Sequence, residues 1–256
     1  MVSISTISIS LQGLSEALKA YFGQFEKLDS GSRLNRPSDG AAQLAISSFL
    51  RGEIASVKQG FLNLNEAVSL LQTAEGSLGK ISEKLQRMLE LTTQAQSGTL
   101  SPAQIQILQG EFDNLSQEIA QISQTAEYNG IPLHQQKQTF FLSAAGREIP
   151  IQLEAINLFQ GDVESPACIE ALRSFIEFIR NYRSRLAATL NSVEGLSDYL
   201  NKLLEEATHS ESRISDTDYA QEILDLSSSQ IAAHIESIGI QNHLSAQAVL
   251  SLLQER

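Results

Sequence analysis

The chain has 256 residues, 42% of them hydrophobic, with no Trp and a formal net charge of −12. That composition is too apolar for a disordered chain and large enough for one or two cores, and its sign disfavours phosphate backbones as partners. The single cysteine, Cys168, excludes an intrachain disulfide or a thiolate metal cluster and reads as a small apolar packing residue.

Hydrophobic spacing organises nearly the whole chain. Ile7, Leu11, Leu14, Leu18, Tyr21, Phe25 and Leu28 alternate steps of four and three, the narrow stripe of a helix that seeks a partner helix. Turn formers at Ser30-Gly31-Ser32 and Pro37-Ser38-Asp39-Gly40 interrupt it. A much longer run from about Ala41 to Gln96 carries Val57, Phe61, Leu64, Val68, Leu71, Leu78, Leu85 and Met88, which predicts a coiled-coil helix. Ser101-Pro102 is a cap and first-turn pair for a medium helix through Ile105, Leu108, Phe112, Leu115, Ile119 and Ile122. Asn129-Gly130 and Pro132 stop that helix. Phe140–Leu142 and Ile149–Leu153 around Ala145-Gly146 predict one β-hairpin at about 139–153.

Helical spacing returns at Pro166 and runs through Ile169, Leu172, Ile179, Leu186 and Val193 to Leu203. A polar patch at Thr208–Ser212 is expected to separate it from a last helix carrying Ile223, Leu226, Ile231, Ile235 and Ile238. The order is nearly palindromic, so the simplest packing folds the chain back and pairs its first and last helices. Such a pair has too little core to stand alone, and its stripes need copies of itself or a partner. The expected fold class is mainly α: a long antiparallel helical rod, one small hairpin, and paired N- and C-terminal helices.

Several short strings give this pattern a family. Ser212-Arg213-Ile214 with Asp216, Asp218, Tyr219 and Ala220 resembles the bacterial flagellin stretch S-R-I-x-D-x-D-Y-A. Gln230-Ile231 and Val249-Leu250-Ser251-Leu252-Leu253 resemble its Q-I and V-L-S-L-L. Leu28-Asp29-Ser30-Gly31-Ser32-Arg33-Leu34-Asn35, followed by Asp39 and Ala41-Ala42, resembles L-S-S-G-x-R-I-N…D-D-A-A, with Gly40 in place of the second acid. Leu71 to Leu78 is similar to A-Q-T-x-E-G-A-L, and Tyr128-Asn129-Gly130 stands where the family has F-N-G. Leu85-Gln86-Arg87 with Glu90-Leu91 and Gln94 is similar to L-Q-R-x-R-E-L-x-x-Q, with Leu89 in place of the second Arg.

The resemblance implies a structural subunit of the flagellar filament, secreted through the type III pathway to the outside of the cell. It implies an inner polymerisation domain from 1–41 with 214–256, and a helical rod from 42–213. Contacts between copies would then use Leu11, Leu14, Leu18 and Phe25, the turn residues Arg33, Asn35 and Asp39, the junction at Asp216, Asp218 and Tyr219, and the last-helix residues Ile231, Ile235, Leu250, Leu252 and Leu253. Other implied partners are an export chaperone and the cap and junction proteins. In the family, the patch matching Gln86, Arg87, Glu90, Leu91 and Gln94 meets a vertebrate Toll-like flagellin receptor as well as packing between subunits; packing alone is the plainer expectation here. The alternatives are a hook-associated junction protein, which shares Arg33 to Asp39, and a type III secreted helical effector. No enzyme activity, cofactor, metal site, nucleic-acid partner or membrane insertion is expected. The four histidines form no H-E-x-x-H pair, and Gly76 to Ile81 lacks the glycine spacing and hydroxyl of a phosphate loop.

Overall fold

The structure is a computed structural model that describes residues 2–254, excepting the side chains of residues 2–8, 10, 243 and 246–254. Among the described residues five α-helices form: α1 (Val2–Ser30), α2 (Ala41–Ala95), α3 (Pro102–Thr125), α4 (Pro166–Ser215) and α5 (Tyr219–Gln254). Strands β1 (Glu127–Tyr128) and β2 (Ile131–Pro132) make a minimal hairpin, and β3 (Gln138–Ala144) and β4 (Arg147–Leu153) a longer one. Two compact units emerge, one of Met1–Ile54 with Glu206–Arg256 and one of Ala55–Glu205.

Ala55–Glu205 is built on heptads. Along α2, Val57, Leu64, Leu71, Leu78 and Leu85 are buried, and so are Ala67, Ala74, Ile81, Met88 and Ala95, a second row three residues on. Seven-residue repetition keeps one seam facing its partners along the helix. On α4 the matching row is Leu172, Ile179, Leu186, Val193 and Leu200, with Tyr182 and Leu196 between. The two helices run antiparallel, since Glu75 receives Arg183 at 2.5 Å while Gln96 donates to the Ser165 carbonyl at 3.1 Å. α3 lies antiparallel to α2 in turn. Its Phe112 and Ile119 enter the core, and Glu111 and Glu118 pair with Arg87 and Lys84 outside it.

Capping explains where α3 starts. The Ser101 hydroxyl accepts from the Gln104 N–H while the Gln104 side chain accepts from the Ser101 N–H, two otherwise unpaired donors satisfied together. The β3–β4 turn places Ala145 and Gly146 at φ +47° and +75°, the left-handed pair that a two-residue hairpin requires. Leu142, Ala144, Ile151 and Leu153 face the core, and Phe141 faces away. A Cβ at Gly60 would lie 3.2 Å from both Ala144 Cβ and Leu200 Cδ1, so glycine lets the hairpin sit close on α2.

Two expectations are corrected. Thr208–Ser212 does not end a helix, because α4 continues to Ser215. These residues are polar without being helix breakers, and Glu211 within them finds a partner in Arg51. Asn129-Gly130 is not merely a stop, because with φ of +50° and +76° it forms the turn of β1–β2.

Core packing predicts that Leu78→Ala lowers the stability of this unit by about 3 kcal/mol, whereas Phe141→Ala changes it by less than about 0.5 kcal/mol. Urea unfolding followed by circular dichroism would check both.

Candidate functional site: the α1–α5 pair and its clasp

α1 and α5 pair antiparallel within the unit that also holds Glu206–Ser215. Near one end the Lys27 ammonium lies 3.5 Å from the Glu222 carboxylate, and further along a Cβ on Gly13 would sit 3.1 Å from the Glu236 carboxyl carbon. Between these points the Gln24 amide, oriented so that its nitrogen donates, bonds the Ser229 hydroxyl at 2.7 Å. Small and polar residues thus dominate the seam. Among the described side chains of α1 and α5, none is buried.

What the pair leaves outside is apolar. Phe25 is 53% exposed, Ile235 62% and Leu224 65%. Leu11, Leu18 and Phe22 on α1, with Ile231 and Ile238 on α5, join them on the surface. Leu14 is half-buried and lines a groove of about 320 Å³ between the helices with Leu18, Tyr21, Ala233 and His234. Helices with apolar residues on several faces are found buried or partnered, because each exposed large side chain forfeits about 1.5–3 kcal/mol of transfer free energy.

A short clasp sets the register of the pair. Where the chain leaves α1, the Arg33 N–H donates to the Ser215 carbonyl at 2.7 Å and the Thr217 N–H donates to the Gly31 carbonyl at 3.1 Å. These bonds make an antiparallel bridge between Ser32 and Asp216. The Ser32 and Ser215 hydroxyls lie 2.9 Å apart, and the Arg33 guanidinium donates to the Ile214 carbonyl at 3.0 Å. Gly31 has φ +67°, and a Cβ there would meet the Tyr219 hydroxyl at 3.0 Å. Glycine therefore serves both the left-handed turn and the close approach of α5.

Neighbouring side chains brace these strands. Asn35 donates to the Ser30 hydroxyl at 2.8 Å and the Ser32 carbonyl at 3.1 Å. Asp39 accepts from the N–H groups of Arg36 and Asn35 at 2.8 and 3.2 Å. Asp216 accepts from the Ser212 hydroxyl at 2.5 Å. Asp218 caps α5 by accepting from the Ala220 and Gln221 N–H groups, where a carboxylate also meets the positive end of the helix.

Arg51 and Glu211 belong to this site and carry no sequence signal. Arg51 bonds the Glu211 carboxylate at 2.7 Å and the Ser215 hydroxyl at 2.9 Å, and Ser47 bonds the same carboxylate at 3.1 Å. Burial raises the pKa of Glu211, but the Arg51 bond, the Ser47 bond and the Arg51 charge outweigh it and hold the group below the ordinary carboxylate range.

The structure thus brings Arg33, Asn35, Asp39, Asp216, Asp218 and Tyr219 into one clasp and sets Leu11, Leu18, Phe25, Ile231 and Ile235 on the exposed faces. The side chains of Leu250, Leu252 and Leu253 lie outside the described residues. Of the residues expected on a receptor-facing patch, Gln86, Arg87, Glu90 and Gln94 are exposed on α2, while Leu91 is fully buried in the core of Ala55–Glu205. Arg87 is held by Glu111 at 2.9 Å and Glu90 at 3.1 Å, which raises its pKa further. Among the described residues, no group of three His, Cys, Asp or Glu is placed to hold a metal.

Gly31→Ala is expected to destabilise the α1–α5 pairing by about 1–2 kcal/mol, from the left-handed backbone and the Tyr219 clash together. Amide exchange at Thr217, whose N–H bonds the Gly31 carbonyl, would report it.

Known proteins share long stretches of this sequence. Residues 5–139 match the family model for the bacterial flagellin N-terminal helical region. A flagellin of Halalkalibacterium halodurans is 31% identical over 245 residues, covering 90% of each chain. The flagellin of Bacillus subtilis is 30% identical over 293 residues, covering 96% of each. The crystal structure of Bacillus cereus flagellin aligns with a TM-score of 0.48 at 26% identity, covering 54% of this chain and 86% of that one. This chain belongs to the bacterial flagellin family.

Proposed function

We infer that the chain is a structural subunit that polymerises into the flagellar filament, and that the α1–α5 pair is the surface through which it does so. The observation that carries this reading is the coreless helix pair: none of its described side chains is buried, and most of its large apolar residues are exposed. A different face of a second copy can cover one of these apolar faces, and repeating that heterologous contact builds an open helical polymer rather than a closed dimer. In this reading Leu11, Leu14, Leu18, Phe25, Ile231 and Ile235 make the contacts between copies, while Arg33, Asn35, Asp39, Asp216, Asp218 and Tyr219 keep the two helices in the register that presents them.

The family is structural, and the role proposed needs no catalytic step or cofactor. Its setting would be the extracellular filament; no described helix is long and apolar enough to cross a membrane. An export chaperone is a reasonable partner for exposed apolar helices before assembly, and cap and junction proteins for the ends of a growing filament. Contact with a vertebrate receptor through Gln86, Arg87, Glu90 and Gln94 is a further proposal, from which the burial of Leu91 removes one member. A hook-associated junction role is less favoured, because relatives matching 90% and 96% of this chain are flagellins.

Replacing Ile231 and Ile235 together by Ser tests the interface. Losing roughly 3 kcal/mol of burial per copy would raise the critical concentration for polymerisation about a hundredfold. Seeded growth from short filament fragments, followed by sedimentation and electron microscopy, gives the readout. Normal growth by the double variant would exclude these residues from the interface. A wild-type chain that binds filament ends without extending them would identify a junction protein instead.

A further inference from the structure

Ala55–Glu205 contains one fully buried histidine that assembly does not explain. His134 lies just after β2, and its ring meets Ser77 of α2 and Tyr182 of α4. Its backbone carbonyl accepts from the Ile156 N–H at 2.8 Å and from the Ser123 hydroxyl of α3 at 3.3 Å. Ser123 also donates to the Ile156 carbonyl at 3.0 Å. Both ends of the segment Leu133–Ile156, which includes the β3–β4 hairpin, are therefore gathered at this residue.

A proton on Nε2 of the neutral ring gives every surrounding bond one donor and one acceptor. The Ser77 hydroxyl donates to the Ala74 carbonyl at 2.7 Å, so it accepts from His134 Nε2 at 2.6 Å. His134 Nδ1 is then the acceptor facing the Tyr182 hydroxyl at 3.4 Å, with the two rings edge to face at 5.8 Å. The Tyr182 oxygen in turn accepts from the Glu154 N–H at 3.0 Å. This chain of donors is complete only while the imidazole is neutral. A proton on Nδ1 would set donor against donor at Tyr182 and place a charge among apolar walls.

We propose that His134 is a proton-operated latch: neutral, it pins Leu133–Ile156 to α2, α3 and α4, and protonated, it releases that segment while the helices stay packed. The groups around it supply no countercharge to the ring. Just after β4, Glu154 is committed to Lys137 and Arg185 at 3.4 and 3.1 Å. From α4, the Arg185 guanidinium lies 5.9 Å from the Tyr182 ring centroid, and Arg183 is paired with Glu75 of α2. From α3 it is the Ser123 hydroxyl, an uncharged group, that reaches the residue.

Burial lowers the His134 pKa from 6.5 to about 4, against a small opposing pull from the Ala74 carbonyl. The closed state thus refuses a proton that the open state accepts anywhere between those two values. Stability of the latch is full well above pH 6.5 and falls as the pH drops toward 4, where the opening equilibrium has risen by about 160-fold.

Amide exchange on the full chain, with protection factors corrected for intrinsic rates, tests this directly. In the wild type, protection at Glu154 and Ile156 should fall by about two orders of magnitude between pH 6.5 and 4, while the Leu78 amide in the middle of α2 stays protected. His134→Gln keeps an uncharged donor and acceptor, and its protection should change less than about threefold over that range. Equal falls in the variant and the wild type would overturn the latch, and so would an equal loss at Leu78, which means global unfolding. Should the variant not fold, the wild-type ring titration by NMR decides: resistance to protonation down to about pH 4 supports the latch, and an ordinary midpoint near 6.5 overturns it.

Discussion

The apolar surface that α1 and α5 cannot hide in each other is the constraint on which the chain's biology rests. Both helices show the three-four spacing found along α2 and α4, yet the outcomes differ. In Ala55–Glu205, α2 meets α4, α3 and a hairpin, so its heptad rows are buried from Val57 to Ala95. α1 meets one helix across a seam that includes Gly13, Gln24 and Lys27, and most of its large side chains stay exposed. Two helices share only a narrow strip, and no choice of residues on that strip can cover the remaining faces. Stability for this region must come from outside the subunit.

That makes the clasp more than a connector. Partly buried ion pairs such as Lys27–Glu222 and Arg51–Glu211 add little net stability individually, because desolvation offsets their attraction. Their value, with the Ser32–Asp216 bridge, lies in geometry. They hold α1 and α5 in one register before any neighbour arrives, so that association does not also have to order the pair. Polar groups suit this task because they specify alignment without covering the exposed apolar faces of the pair.

Much of this is legible in the sequence, for physical reasons. Long heptads announce long helices, because the repeat of seven survives whatever packs against it. The β3–β4 hairpin is visible in Ala145-Gly146 between alternating runs. The β1–β2 hairpin is not, since two-residue strands have no period and only the Asn129-Gly130 turn marks them. Thr208–Ser212 looks like a break only while polarity is equated with flexibility. The turn comes instead at Asp216–Asp218, where Asp218 starts the next helix by capping it. The patch motif groups Leu91 with exposed neighbours, although helical spacing sets it with Met88 and Ala95 on the buried side. Arg51 with Glu211 and His134 with Tyr182 are invisible, because partners 160 and 48 residues apart leave no local trace.

The distance between the clasp's two strands also has a kinetic meaning. Ser32 and Ser215 touch across 183 residues of chain, whereas the Arg87–Glu111 pair closes a loop of only 24. Loop-closure entropy favours the short circuit first, so the α2–α3 corner can form while the rest is still uncoiled. α1 has no such option. On a chain that emerges from its first residue to its last, whether from a ribosome or a narrow conduit, α1 waits for almost the whole molecule before its mate appears. The region with the greatest appetite for other molecules is thus the last to close.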